Sequence, residues 1–358
     1  MTGILVIGGG IAGLSAAARL SEDADVTVIE AEDTLGYHAS GRSAALIEQN
    51  YGAPSVQALN RASVAYLRTH DGGYLTQRGL MIVAADKDRD AFDADVATMG
   101  VDRISVADAC ARVPVTDRKY VTMAAWHADA HDIDTDRLLQ GFARTVRANG
   151  GRIVTGHRIT SADHSDGRWL VRSPDGEWTG DMLVNAAGAW ADQIAALAGL
   201  RGLGIVPHRR SMARIAAPEG HDVGRWPMFF GVDESWYAKP DAGALLVSPA
   251  DEDPVEPHDA WADDMALAEG LALYEEVVTT PVTRMLSNWA GLRSFAPDRT
   301  LVLGPDPDLP AFVWCSGQGG YGMQTAPAAS HLLADLVFDR APGIDPQNVA
   351  ALRPERLR

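Results

Sequence analysis

The chain has 358 residues, a length typical of two interleaved domains rather than one small core. Apolar residues make up 46% and charged residues 22% of the sequence, a composition that excludes an intrinsically disordered chain. Acidic residues outnumber basic ones by 48 to 31, and the resulting net charge of −17 repels phosphate backbones, so we expect no nucleic-acid partner.

Cysteine usage and hydropathy exclude further classes of protein. Cys110 and Cys315 are far apart and lack CxxC spacing, which excludes a disulfide framework and a cysteine zinc site, and we expect no metal. No run approaches the roughly 18 uncharged apolar residues that span a bilayer, and we see no basic and then apolar leader before the first strand. We therefore expect a cytoplasmic protein without a transmembrane segment.

The N-terminal residues predict a strand–helix–strand unit. Residues 4–7 form a short apolar run, typical of a strand that is buried on both faces. Residues 11–20 are rich in alanine and form a helix, and residues 26–29 are a β-branched strand that ends at Glu30.

The rest of the chain continues to alternate between strands and helices. In chain order, the sequence predicts a glycine-rich loop at 35–45, a helix at about 54–70, a strand at 79–85, short mixed elements at 86–130, a helix at 135–149, a strand at 181–185, a strand-rich stretch at 203–295 with one helix near 262–277, a strand at 312–315 and a last helix to about residue 338.

This order predicts an α/β (α+β) fold with a Rossmann-like cofactor domain and an inserted substrate domain built on an antiparallel sheet. The cofactor domain is discontinuous and comprises residues 1–85, 135–202 and 291–358. The substrate domain is threaded between these segments as residues 86–134 and 203–290.

The segment from residue 8 to residue 13 satisfies the GxGxxG pattern between a strand and a helix. Gly8 permits a tight turn, Gly10 lets the backbone approach a pyrophosphate, and Gly13 lets the helix and strand pack closely. Glu30 ends the second strand, where its carboxylate can accept hydrogen bonds from a ribose, which disfavours NADP. A glycine-rich turn without a ligand is the alternative, and the motif alone does not separate NAD from FAD.

Two further loops suggest a bulky dinucleotide. Residues 38–45 are small side chains around Arg42, whose guanidinium can neutralise a phosphate. Residues 317–322 contain four glycines and open the last helix, whose N-terminus would favour negative charge in the cleft. Surface flexibility and helix packing are the alternatives, although four glycines are entropically costly without a ligand.

With these loops, the sequence resembles the D-amino acid oxidase/glycine oxidase (DAO) superfamily of FAD enzymes. Within it, the chain is most similar to the bacterial D-arginine dehydrogenase type of D-amino acid dehydrogenase. The resemblance covers nearly the whole chain and rests on matching blocks at residues 36–45, 132–136, 184–190, 289–295 and 318–322.

The resemblance implies a non-covalently bound FAD. Together with Gly8, Gly10 and Gly13 of the motif, the expected cofactor contacts are Ala12, Glu30, Ala31, Ala39, Ser40, Gly41, Arg42, Ser43, Ala44, Ala45, Leu46, Ile159, Gly188, Gly319, Gly320, Tyr321, Gly322, Met323 and Gln324.

Family members bind the substrate carboxylate with arginine and tyrosine, and the matching positions here are Arg210, Arg293, Tyr51 and Tyr237. A guanidinium fork meets a carboxylate through two parallel hydrogen bonds, and a tyrosine adds a hydroxyl donor on an apolar wall. The Gly320 carbonyl is expected to accept a hydrogen bond from the amine. The alternatives are ordinary ion pairs for the arginines and core or lid packing for the tyrosines.

Two positions depart from the arginine-specific relatives. Leu80 stands where those relatives place a glutamate, and Leu46 stands where they carry a histidine. Both changes make the pocket more apolar, which favours a neutral or hydrophobic D-amino acid over D-Arg or D-Lys. Glu48 can supply a replacement carboxylate, so the question stays open at this point.

The reaction that the resemblance implies is hydride transfer from Cα to flavin N5, which gives an imino acid and then a 2-oxo acid. We expect an amino acid substrate, an electron acceptor (a quinone, a dye-like carrier or O2), and no catalytic histidine. A glycine/sarcosine-type amine oxidase or a 2-hydroxy acid dehydrogenase is the alternative on the same fold. A non-catalytic flavin-binding assembly factor is the alternative from another class.

Overall fold

The computed structural model describes residues 2–358. The strands are β1 Gly3–Ile7, β2 Asp25–Ile29, β3 Leu46–Ile47, β4 Leu75–Gln77, β5 Leu80–Ala84, β6 Asp102–Ile104, β7 Met123–His127, β8 His131–Ile133, β9 Arg152–Val154, β10 Ser161–Ser165, β11 Arg168–Ser173, β12 Gly176–Gly180, β13 Met182–Asn185, β14 Val206–Ala216, β15 Met228–Gly231, β16 Tyr237–Asp241, β17 Ala244–Ser248, β18 Met285–Phe295, β19 Val302–Pro305 and β20 Phe312–Ser316.

The helices pack on both faces of the main sheets. They are α1 Ile11–Leu20, α2 Pro54–Thr69, α3 Arg89–Met99, α4 Val106–Arg112, α5 Thr135–Ala148, α6 Ala191–Leu197, α7 Asp264–Val277, α8 Gly322–Val337 and α9 Pro346–Ala350. Within residues 2–358, no helix combines the length and the apolar composition needed to cross a bilayer.

A six-stranded sheet has the order β19-β20-β13-β1-β2-β9, and its strands are parallel except for β19. Successive side chains of a strand point to opposite faces. Val6 and Val28 therefore pack with α1, α5 and α8, whereas Leu5 and Ile7 pack on the other face with Trp169. The carboxyl ends of β1, β13 and β20 lie at one edge of this sheet, where α/β proteins bind their ligands.

An eight-stranded sheet has the order β18-β14-β17-β16-β15-β5-β7-β6. The antiparallel arrangement predicted for the substrate domain is found between all its neighbours except β5 and β15, which run parallel. Buried side chains on its two faces include Phe229 on one side and Phe230 on the other. A small antiparallel sheet has the order β3-β8-β4.

Most of the predicted elements are confirmed, and the fold is α/β as expected. The helices predicted at about 54–70, 135–149 and 262–277 correspond to α2, α5 and α7. Strand β5, by contrast, belongs to the eight-stranded sheet, although the sequence prediction assigned residues 1–85 to the cofactor segments. We propose that the first boundary between the domains lies before Leu80, because β5 shares its hydrogen bonds with β7 and β15.

Gly13 tests the close packing of α1 against β1. A methyl group at this position would collide with the Gly8 carbonyl oxygen. Although alanine is intrinsically better than glycine in a helix, we expect Gly13→Ala to lower the free energy of unfolding by about 2–4 kcal/mol. Chemical denaturation measures this change.

Gly343→Ala is the matched control, because a methyl group there meets no atom within 4 Å. We expect its free energy of unfolding to stay within about 0.5 kcal/mol of the unsubstituted chain. Equal effects of the two substitutions would contradict the proposed close approach of helix and strand.

Candidate active site

The loop after β1 is shaped for close approach of a ligand. Gly8 has φ of +108°, and the buried carboxylate of Glu30 accepts the N–H groups of Gly9 at 2.5 Å and Glu32 at 2.8 Å. The Ser40 hydroxyl accepts the N–H of Ile11 at 2.9 Å, at the start of α1. These bonds fix the relative positions of the loops that follow β1 and β2 and of the segment 38–45.

These loops enclose a first cavity at the carboxyl end of the six-stranded sheet. Because a carboxylate has about four lone-pair sites, Glu30 can still accept from a ligand after its two backbone bonds. The predicted cofactor residues on the walls of this cavity are Gly8, Gly10, Glu30, Ala31, Ala39, Ser40, Arg42, Ile159 and Gly188.

A second cavity continues from the first, because Gly10, Ala39, Ser40, Arg42 and Gly188 line both. The two adjoining cavities are consistent with one elongated ligand that runs from Glu30 to the start of α8. The other predicted residues on its walls are Ala12, Ser43, Ala44, Arg210, Tyr237, Arg293, Gly319, Gly320, Gly322 and Met323.

Arg210 is 6% exposed and lines the second cavity. Its Nε and Nη1 atoms have no hydrogen-bond acceptor within the described residues 2–358. A buried donor that lacks an acceptor costs about 1–3 kcal/mol. The second cavity therefore fits a ligand that supplies acceptor atoms, and the helix N-terminus at Gly322 offers unpaired N–H groups nearby.

A third cavity adjoins the second and shares Tyr237, Arg293 and Gly320 with it. Tyr51 lines the third cavity, so four of the five residues predicted to act on the substrate lie together. The apolar residues on its walls include Ala45, Leu46, Leu80, Met99, Met228, Phe230 and Met323, and polar residues line it as well. Arg210, the fifth predicted residue, is on the wall of the second cavity and not of the third.

Two arginines of the site share one carboxylate. Glu252 lies 2.7 Å from the Arg210 Nη2 atom, 2.6 Å from the Arg299 Nη2 atom and 3.9 Å from the Arg293 Nη1 atom. Burial alone would raise the pKa of Glu252, but the charges of these arginines outweigh it and hold the pKa below its usual value. Within this cluster, three guanidinium groups face one carboxylate.

Arg293 projects from β18 toward the segment after β20. Its guanidinium packs against Gly320, where an added Cβ would lie 3.1 Å from Arg293 Nη1. Burial and the adjacent Glu234 carboxylate raise the pKa of Tyr51 well above its usual range, so that its hydroxyl stays protonated. The wall of the third cavity thus combines a cation with a neutral hydroxyl group.

Two acidic residues also line the third cavity. Glu48, which the sequence suggests as a replacement carboxylate, is 3% exposed and contacts the His127 Nδ1 atom at 2.6 Å. Glu234 was missed by the sequence reasoning, and it lies in a turn where both Asp233 and Glu234 have positive φ, of 54° and 50°. Local sequence gives no signal for it, because an acidic turn residue is ordinary at a surface.

Comparison with known proteins identifies the family. The model of the FAD dependent oxidoreductase family (DAO) matches residues 3–336. The chain belongs to this family. FAD is therefore its cofactor, and the fold and the cofactor predicted from the sequence are both confirmed.

Relatives of the FAD dependent oxidoreductase family cover the chain almost completely. It is 26% identical to glycine oxidase of Pseudomonas aeruginosa over 96% of each chain, and 24% identical to FAD-dependent oxidoreductase domain-containing protein 1 of Bos taurus over 94% of this chain and 81% of that protein. L-proline dehydrogenase from P. horikoshii has a TM-score of 0.84 at 22% identity, and the similarity covers 99% of this chain and 97% of that chain. Iminodiacetate oxidase from Chelativorans sp. BNC1 has a TM-score of 0.82 at 22% identity, with 98% of each chain covered.

The remaining cofactor residues predicted for this FAD dependent oxidoreductase have different surroundings. Ala45, Leu46 and Gln324 line the third cavity. Gly13 and Gly41 face neighbouring backbone rather than a cavity, since a Cβ at either would collide with or crowd a carbonyl oxygen. Their place in the fold is packing, which leaves contact with FAD as a prediction.

Tyr321 and Arg42 also have protein partners. The Tyr321 ring stacks edge-on against Tyr51, with ring centroids 5.4 Å apart. Arg42 lines the first two cavities, but its guanidinium donates to Asp259 at 2.5 Å and to the Ala260 carbonyl at 2.8 Å. In the structure its charge is paired with Asp259, and the phosphate contact suggested by the sequence stays a prediction.

The Glu252 cluster predicts a pH dependence of stability. A carboxylate whose pKa is lowered by folding stabilises the native state above its unfolded pKa of about 4.3, and the contribution is lost as the pH falls through the folded pKa. We expect Glu252→Gln to lower the free energy of unfolding at pH 7 by about 1–3 kcal/mol, because Arg210 loses its counter-charge. The difference should shrink as the pH falls below about 4.

Denaturation curves between pH 3 and pH 7 test this dependence, with Glu269→Gln as a control at an exposed position of α7. We expect the control to follow the unsubstituted protein across the range. A Glu252→Gln deficit that is the same at every pH would show that the cluster does not stabilise the fold through its charge.

Proposed function

We propose that the protein oxidises the amine-bearing carbon of a D-amino acid with a neutral or hydrophobic side chain. The products are the imino acid and, after hydrolysis, the 2-oxo acid and ammonia. The observation that carries the proposal is the position of Arg293, which lines both the cavity beside the helix N-terminus and the adjoining apolar cavity.

Arg293 supports a carboxylate-bearing substrate. A guanidinium binds a carboxylate through two parallel hydrogen bonds, and this fixes the orientation of the substrate as well as its position. The protonated Tyr51 hydroxyl can donate to the same group, and the buried Tyr237 closes the other side. In this arrangement Arg293 is the main anchor, and Arg210 assists from the second cavity through its unpaired nitrogens.

Bound FAD supplies the electron acceptor for this chemistry. The chain itself has to orient the substrate and exclude water from the cavity. The apolar side chains of Leu46, Leu80, Met228 and Phe230 serve both purposes and favour a substrate side chain without charge. The Gly320 carbonyl, on the wall shared by the second and third cavities, is the proposed acceptor for the substrate amine.

Full-length similarity to glycine oxidase supports a second candidate, the oxidation of glycine or a secondary amine. Glycine, proline and iminodiacetate, after which these relatives are named, all carry a carboxylate next to the amine-bearing carbon. Arg293 fits each of them equally well. The walls of the third cavity are the feature that favours a larger apolar side chain. The proposed D-configuration of the substrate rests on the resemblance to D-arginine dehydrogenases.

A substrate panel distinguishes these candidates. The holoenzyme is mixed anaerobically with D- and L-amino acids, glycine, sarcosine, proline and 2-hydroxy acids, and loss of the flavin absorbance is followed. We expect reduction by D-amino acids with neutral side chains, and faster than by D-Arg or D-Lys. Reduction by 2-hydroxy acids alone would refute the proposal, and reduction by none of these compounds would favour an assembly factor.

Reoxidation of the reduced flavin in air distinguishes the electron acceptors. Slow reoxidation would indicate a quinone or dye-like acceptor, and fast reoxidation would indicate O2.

The Arg293 anchor is tested by substitution. We expect Arg293→Met to raise the KM for the amino acid by about 30- to 1000-fold, because a charged pair is lost. Arg293→Lys should have an intermediate effect, because an ammonium keeps the charge without the two-pronged geometry.

FAD content is measured in each variant, so that loss of cofactor is not mistaken for loss of substrate binding. Arg225→Met is the control, since this arginine is exposed at the surface. An unchanged KM in Arg293→Met with full FAD content would remove Arg293 from the substrate site.

A further inference from the structure

Lys239 is an unusual residue in this chain. Of the 31 basic residues only three are lysines, and the other two, Lys87 and Lys119, are exposed. Lys239 is only 8% exposed and lies in β16, two positions after Tyr237. Because alternate residues of a strand share a face, Lys239 and Tyr237 project from the same side of the eight-stranded sheet.

The Lys239 ammonium is matched by three acceptors. It donates to the carbonyl oxygen of Ala44, lies 3.4 Å from the carbonyl oxygen of Ala45, and contacts the Asp132 carboxylate at 2.8 Å. The ammonium is thus hydrogen-bonded to the two carbonyls and forms an ion pair with the carboxylate. A planar guanidinium presents its donors as a rigid fork, whereas an ammonium is a compact point charge that fits between these oxygen atoms.

Asp132 extends this contact to a third part of the structure. The Arg78 Nε atom donates to its second oxygen at 2.7 Å, and the Arg78 Nη1 atom donates to the Gly224 and Trp226 carbonyls at 2.8 Å each. Asp132 also faces Leu46 across the β3–β8 pair. The bonds therefore connect the segment 44–46 with β16 and with the loop before β15.

The two carbonyls bound by Lys239 flank a strained residue. Ala45 has φ of +33°, a conformation that costs an L-amino acid of order 1 kcal/mol or more. Ala44 lines the second and third cavities, and Ala45 and Leu46 line the third. By holding the carbonyls on both sides of Ala45, the ammonium fixes the backbone at the junction of the two cavities.

We propose that Lys239 is a positioning residue that sets the distance between the segment 44–46 and Tyr237, and so aligns the substrate with the cofactor. This rests on the function proposed above. Lys239 acts through the backbone of Ala44 and Ala45 and is not itself assigned a contact with substrate. A purely structural ion pair is the competing explanation, and kinetic and spectroscopic measurements separate the two.

Lys239→Met tests the proposal, because methionine keeps a long unbranched side chain but has no donors. We expect FAD content close to that of the unsubstituted holoenzyme, a shifted absorbance spectrum of the bound flavin, and a fall in kcat/KM for the best amino acid of at least about tenfold. Lys119→Met is the control at an exposed lysine and should change neither the flavin spectrum nor kcat/KM. A Lys239→Met enzyme with only a lower melting temperature, and with unchanged kcat, KM and flavin spectrum, would overturn the proposal.

Asp132→Asn provides a second variant if Lys239→Met does not fold. It keeps the shape of the aspartate but weakens the link between Lys239 and Arg78, so we expect the same spectral shift and a smaller kinetic effect. In the double variant the kinetic effects of Lys239→Met and Asp132→Asn should not add, because both substitutions disrupt the same network of contacts. Full additivity would count against the proposal. If no amine or amino acid reduces the unsubstituted enzyme, the proposed function fails, while the flavin spectra still decide the role of Lys239.

Discussion

A guanidinium that leaves water must be balanced by other charges, and this requirement organises the site. The neighbouring antiparallel strands β14 and β18 bring Arg210 and Arg293 to the seam between the two large sheets. Glu252 contacts both of them and Arg299, so that three positive charges meet one negative charge. In the proposed function these guanidinium groups attract the substrate carboxylate, whereas the carboxylates of Glu48 and Glu234 line the adjoining third cavity.

The six-stranded sheet solves the complementary problem of bringing backbone close to a large cofactor. The chain turns sharply after β1, β13 and β20, at Gly8, Gly188 and Gly319, each of which has positive φ. These turns place glycine backbone, which lacks side chains, along one edge of the sheet. Since α1 and α8 both begin at this edge, two helix N-termini point toward the same elongated space. The cofactor cavities follow from this convergence.

Sequence alone predicts those parts of the site that depend on neighbours in the chain. Gly8, Gly13 and Glu30 belong to one strand–helix–strand unit, whose spacing constrains them. Glu252 and Lys239 escape such reasoning because their partners are distant: Arg210 is 42 positions from Glu252, and Ala44 is 195 positions from Lys239. Family resemblance points to residues that are expected to contact a ligand, but not to the ion pairs beside them.

Residues of both strands and loops line the third cavity. Arg293, Tyr237 and the apolar Leu80 stand on strands of the eight-stranded sheet, whose register fixes their positions. Glu48 and Glu234 stand on connecting segments, and these change without disturbing sheet hydrogen bonds. In the proposed site the carboxylate anchor therefore stands on a strand, as do the apolar residues Leu80 and Phe230, while the two acidic residues stand on loops. The segment 44–46 lines the same cavity, and its bonds to Lys239 attach it to β16 of the eight-stranded sheet.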